Sequence, residues 1–263
     1  MKNITKLLGL LLLFSAFAMT VSAPVQAKKD FTVSTSSKPY KNKYVKNPVY
    51  NKYTKHYLTL RSYLDEMSKK GGGTLTIKKG TYNISNALLV PSNVKIVLQD
   101  GVVMNKIGNS HTKKLKAGHV MFECVRSSRI NKKGVVGKYN GEKNIQIIGE
   151  GTVIMNLSGC NKSEAIRVPH CKNVLIDNIT FTNLRDGHFI EVTASKDVTV
   201  QNCTFKNNLS GERCAINLDT PDKVTNGFNG KYSKFDKTPV LNVTIQNCGF
   251  YNLHRGIDTH RFS

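Results

Sequence analysis

Four short segments carry the residues whose chemistry stands out. They are Ala165-Ile-Arg-Val168, His188-Phe-Ile-Glu-Val192, Ala215-Ile-Asn-Leu-Asp219 and Gly256-Ile-Asp-Thr-His260. Aligned on Ile166, Ile190, Ile216 and Ile257, they alternate as strands with one buried face. Arg167, Glu191, Asn217 and Asp258 then point outward in one row, and Pro169, Thr193, Asp219 and His260 in a second. Glu191, Asp219 and Asp258 are carboxylates of the kind that act as acid, base or hard-cation ligand. His260 suits a base or proton shuttle. Arg167, Arg213 and Arg255 would hold substrate carboxylates. Such a mixture fits a site for an acidic sugar chain. The rival reading is a solvated ion-pair ladder.

The segment Thr220 to Pro239 follows the third of these strands and contributes Tyr232, Phe235 and Lys234. Aromatics stack on sugar faces and lysines attract carboxylates, so this insertion is expected to wall a substrate groove. Solvated padding is the alternative.

The elements that must position these residues repeat. Asn173-Val-Leu-Ile-Asp-Asn-Ile-Thr-Phe181, Asp197-Val-Thr-Val-Gln-Asn-Cys-Thr-Phe205 and Asn242-Val-Thr-Ile-Gln-Asn-Cys-Gly-Phe250 read alike, with weaker relatives at Asn93 and Asn144. Within each, the apolar phase slips by one residue across Asn178, Asn202 or Asn247. A straight strand would turn its later side chains outward at such a slip, whereas a bend keeps them inside. Asparagine tolerates the left-handed conformation that a bend needs. Repeated corners at a fixed position predict a parallel solenoid with an asparagine ladder. Leu60, Tyr63, Leu64 and Met67 have helical spacing, with Thr59 able to cap the start and Gly71 to Gly73 ending it. This short helix is expected to cover the open end.

Residues 1–27 have the charged start, apolar run and small-residue sites of a secretory signal, and the apolar run is too short for a membrane span. Residues 28–57, rich in Lys, Tyr and Asn, read as a basic flexible lead-in. The solenoid domain takes 58–263. It is expected to be incomplete, because the strand ending at His260 has no corner unit or polar cap after it. With 39 Lys+Arg against 17 Asp+Glu, the formal charge is +22. An exported protein with that field points to acidic polysaccharides or anionic wall polymers rather than nucleic acid. Of the six cysteines, Cys203 and Cys248 occupy a position that holds Ile179 in another repeat, and so read as buried thiols. Cys124, Cys160, Cys171 and Cys214 are left open.

Gly71-Gly-Gly-Thr-Leu-Thr-Ile-Lys-Lys-Gly-Thr-Tyr82 and the Asn-Val-x-Ile-x-Asn-x-x-Phe units resemble the pectin-lyase-like superfamily, from Gly71 to the end of the chain. The resemblance implies an all-β, right-handed parallel β-helix. Leu184-Arg185-Asp186, Gly211-Glu212-Arg213-Cys214 and His254-Arg255-Gly256 are similar to motifs of the polygalacturonases, inverting hydrolases of uronic-acid chains. That likeness implies Asp186 and Glu212 as acid and base, with Arg213 standing where the family has a second aspartate. Superfamily lyases instead use Ca²⁺ on acidic side chains with a basic Arg or Lys. The expected function is cleavage of an acidic polysaccharide by hydrolysis or β-elimination. The alternative is a non-catalytic carbohydrate-binding or adhesin-like β-helix on the cell surface.

Overall fold

The asparagine corners are where the sequence places them. Asn178, Asn202 and Asn247 have φ of 54°, 54° and 53° in the computed structural model, and each turns the chain from one strand into the next. The structure describes residues 28–45, 49–211, 213–223, 228 and 230–260, with His260 described by its backbone alone. The proposed signal, residues 1–27, lies outside these.

Among the described residues, nineteen strands form three sheets, and the pairings are parallel. The first sheet contains β1 (Phe31–Val33), β2 (Gly73–Ile77), β5 (Val94–Leu98), β8 (Lys143–Gly149), β11 (Lys172–Asp177), β14 (Lys196–Gln201) and β17 (Leu241–Gln246). The second contains β3 (Gly80–Ile84), β6 (Val102–Ile107), β9 (Val153–Gly159), β12 (Thr180–Leu184), β15 (Thr204–Asn208) and β18 (Gly249–Tyr251). The third contains β4 (Leu88–Leu89), β7 (Val120–Glu123), β10 (Ser163–Pro169), β13 (Gly187–Thr193), β16 (Cys214–Asp219) and β19 (Arg255–His260). Each turn of chain gives one strand to each sheet, so β2 to β19 make six coils of a right-handed parallel β-helix.

Three asparagine ladders line the corners. Asn247 donates to Asn202 (3.4 Å), but Asn202 turns to the Asp177 carboxylate (2.8 Å) and Asn178 to the Gly149 carbonyl (2.9 Å). More continuous ladders stand elsewhere. Asn173 donates to Asn144 and Asn144 to Asn93 (2.9 and 2.8 Å), while Asn183 donates to Asn156 and Asn156 to Asn105 (3.0 and 3.1 Å). These bonds pair the side-chain amides of one coil with those of the next.

Ile166, Ile190 and Ile216 are buried in one inward row, as their alternation predicts. Ile257 continues the row in register but is 45% exposed, because it sits on the last described coil. Phe181, Phe205 and Phe250 stack face to face at 4.9 and 5.2 Å. All six cysteines are free thiols; Cys203 is buried and Cys248, on the last described coil, is half-buried.

The N-terminal segment departs from its sequence reading. Its few aliphatics suffice to dock it: β1 pairs in register with β2, and Val33, Val49 and Tyr57 are buried. A short helix α1 (Asn42–Val45) precedes α2 (Lys55–Lys69), which packs over β2, β3 and β4 as the end cover. The helix starts one turn before Thr59, which is buried within it and so does not cap it. The cap position falls to Thr54, whose hydroxyl donates to the Val49 carbonyl (2.5 Å).

Candidate functional site

The third sheet sets the expected residues in the expected rows. Glu123, Arg167, Glu191, Asn217 and Asp258 are successive register partners, as are Pro169, Thr193, Asp219 and His260. The stacking is correct, yet the face is not open. Glu191 is 2% exposed and Asp219 0%.

Each of the three candidate arginines already holds an acid of the chain. The Arg167 guanidinium makes two 2.6 Å bonds to Glu164 and one of 3.4 Å to Glu123, with its centre 5.4 Å from the Phe228 ring. Arg213 binds Asp186 at 2.6 Å, and its charge holds that carboxyl below the usual range against the opposing effect of burial. Arg255 pairs with Asp258. The sequence reading gives all three arginines to substrate carboxylates. The structure instead occupies each with a neighbouring side chain, Arg167 through the paired bonds that suit a guanidinium best.

Glu191 is the most perturbed acid of the group. Burial, then the nearby Glu164 and Asp219 charges, push its carboxyl up to about 8, although Asn217 Nδ2 and the Thr193 hydroxyl each donate to it at 2.8 Å. His188 Nε2 stands 3.9 Å away, and burial lowers the basicity of that imidazole. The opposite ring nitrogen, Nδ1, lies 3.1 Å from the Cys214 sulfur. Asp219 Oδ1 accepts from the Thr220 amide at 2.7 Å. A carboxyl kept protonated near neutrality has the character of a general acid. Here, however, both its oxygens are engaged and the side chain is closed off from solvent.

Two long loops form the roof. Val136 bridges Ser233 in parallel, the Lys138 amide donates to Asp236 Oδ2 (2.6 Å), and the Tyr139 hydroxyl donates to the Pro239 carbonyl (3.0 Å). His170 pins both loops, with Nδ1 2.7 Å from the Lys138 carbonyl and Nε2 2.8 Å from the Ser233 hydroxyl. Beneath them, Leu89, Val125, Val136, Phe228 and Tyr232 form a second small core, with Phe235 packed at its edge. Tyr232, 1% exposed, donates its hydroxyl to Glu123 at 2.7 Å. Tyr232 and Phe235 therefore face inward and do not offer rings to a sugar, because their apolar area is spent closing this core. Lys234 is exposed.

Glu212 and the His260 side chain lie outside the described residues, so the acid–base pair Asp186 and Glu212 has one described member. Asp258, in β19, is on the last described coil. Among the described residues, no group of three His, Cys, Asp or Glu side chains is placed to hold a metal ion. Glu191, Asp219 and Asp258 are thus not gathered into such a group. Glu164 and His188 belong to the cluster, although the sequence reading gives neither a role and its segments omit Glu164. They are register partners two positions before the Ile row, and extending the alignment backwards finds them.

No family model matches the chain. It is 28% identical over 143 residues to plasmin and fibronectin-binding protein A of Streptococcus pneumoniae, a match covering 51% of this chain and 19% of that protein. The crystal structure of PfbA, a surface adhesin of S. pneumoniae, superposes with a TM-score of 0.58 at 20% identity, over 72% of this chain and 45% of the other. A candidate glycosyl hydrolase from Parabacteroides merdae aligns with a TM-score of only 0.34 at 17% identity, over 76% of this chain and 89% of that one. The aligned part is about a fifth of the length of the curated relative. What the likeness to the pneumococcal surface adhesin shows is the fold: the two chains share the right-handed parallel β-helix.

Proposed function

We propose that the chain is a secreted or cell-surface β-helix that binds extracellular macromolecules without cutting them. The observation that carries this reading is the closure of the third-sheet face. Glu191 and Asp219, the carboxyls best placed for chemistry, are buried, and Arg167, Arg213 and Arg255 each hold a carboxylate of the chain itself. A catalytic acid must come within hydrogen-bond reach of the bond it breaks. A binding surface needs only an exposed exterior, and here that exterior carries most of a +22 charge.

The likeness to PfbA supports this reading. That protein is named for binding plasmin and fibronectin, and extracellular proteins of this kind are the first proposed partners. Acidic polysaccharides are the second, on the strength of the charge. The test pairs two assays on the exported protein. Immobilised fibronectin, plasmin and a panel of acidic polysaccharides measure binding. The same polysaccharides, with and without calcium, are followed for new reducing ends and for the ultraviolet absorbance of unsaturated products. Saturable binding with no product is expected. Product formation that disappears in Asp258→Ala would overturn the proposal in favour of an enzyme.

A further inference from the structure

The first sheet carries a feature that the roofed face lacks: lysines stacked on successive coils. Lys143, Lys172 and Lys196 are register partners at the starts of β8, β11 and β14. Neighbouring strands are about 4.8 Å apart, so the three lysines leave the backbone at that repeat along the helix axis. Lys143 and Lys172 are exposed and Lys196 is half-exposed. Among the described residues, none of the three is in an ion pair. Like charges this close repel one another, and nothing in the packing requires them there, since the neighbouring Asn ladder already holds the corner.

The surroundings reinforce the charge. Glu142, next to Lys143, is buried and bound by both Arg126 (2.7 Å) and Arg129 (3.5 Å), leaving a net cation at that place. Lys132, Lys133 and Lys138 are exposed on the same loop, and Lys234 and Lys237 on its partner loop. The Tyr139 ring joins the two features, with the Lys196 ammonium 5.5 Å above it. The exposed acids nearby are Asp197, which accepts from Asn242, and Asp236, which accepts from the Lys138 amide.

We infer that this strip is a binding site for a linear polysaccharide bearing carboxylate or sulfate groups, laid along the helix axis. A row of cations repeating at about one sugar length selects a regularly charged chain over a compact anion. The Tyr139 face adds a stacking surface of the kind pyranose rings use. The inference rests on the binding reading above and adds a site and a partner class to it.

The test uses the full chain and two fluorescent polymers, a heparin oligosaccharide for sulfate and an oligogalacturonate for carboxylate, with a single-stranded oligodeoxynucleotide as a polyanion of different class. The variant is K143Q/K172Q/K196Q, and the control K78Q/K79Q/K113Q removes the same charge elsewhere. The strip variant is expected to bind at least one sugar polymer about tenfold more weakly or worse, and the control less than about threefold more weakly. The slope of log K against log salt is expected to fall by up to about one for each ammonium group removed. Replacing the three lysines by arginine restores affinity, which separates the missing charge from misfolding. Equal weakening in variant and control, or tighter binding of the oligonucleotide, overturns the assignment. Fibronectin or plasmin binding with neither sugar polymer bound also overturns it while leaving the binding reading intact, whereas polymer cleavage strikes at that reading instead.

Discussion

Replacing Glu191 by glutamine removes a proton that the folded chain has to hold. The carboxyl is buried against the Glu164 and Asp219 charges and titrates at about 8, compared with an ordinary value of 4.5. At pH 7 the folded state therefore keeps a proton that the unfolded chain releases. Each pH unit above the ordinary value costs about 1.4 kcal/mol, so the total at neutrality is about 3 kcal/mol. The sign follows from the raised value: this group's contribution is fully present below about pH 4.5 and is lost as pH rises through about 8. Glutamine is neutral throughout. It keeps the bond from Thr193, and a flip of the Asn217 amide turns that contact from donor to acceptor. Glu191→Gln is expected to match the wild type at pH 4 and to exceed it by about 3 kcal/mol at pH 7. Urea unfolding of both proteins at pH 4, 5.5, 7 and 8.5 measures the difference. Parallel pH profiles would refute the reasoning, since they would mean that the buried carboxyl ionises as freely as an exposed one.

Two further outcomes test the roof and the corners. Tyr232→Phe removes only the hydroxyl that binds Glu123, and should cost about 1–3 kcal/mol by leaving a buried acceptor under-satisfied; unchanged urea stability would show that the bond contributes nothing. Asn202→Ala places an alanine at φ 54° and removes the bonds to Asp177 and from Asn247, with an expected loss of about 2 kcal/mol. Asn202→Gly, which accepts that backbone freely, should lose less, and an alanine variant no weaker than the glycine one would remove the backbone argument.

The corners and rows are legible because they are periodic. A phase slip at Asn178, Asn202 and Asn247 can have its inward pattern only if the chain bends, and aligning Ile166, Ile190 and Ile216 then sets every outward partner. The roof is not legible. Val136 meets Ser233, and Lys138 meets Asp236, across about a hundred residues of chain, and no repeat announces contacts between insertions. Tyr232 and Phe235 read as surface aromatics for that reason, although together with Phe228, Leu89 and Val125 they have the composition of a core. The arginines mislead in a related way. Arg167 lies three residues after Glu164, a spacing that places the two side chains on different faces of a straight strand, yet the long guanidinium reaches back to close the pair. Residues 28–57 read as loose from composition alone, while Val33 and Val49 are enough to seat them.

The latch formed by the two loops changes how the molecule would carry load. In a plain solenoid every rung leans only on its neighbours, and strain peels the stack one rung at a time. Here Tyr232, which follows the fifth coil, grips Glu123 on the second, and His170 between them holds both loops. Four consecutive rungs are thus strapped together from outside, and a pull along the axis meets them as one block. Yielding is expected outside the strap, in the first coil from Gly73 to Leu89 or in the coil from Leu241 to His260, while the lysine strip at Lys143, Lys172 and Lys196 rides within the part that holds.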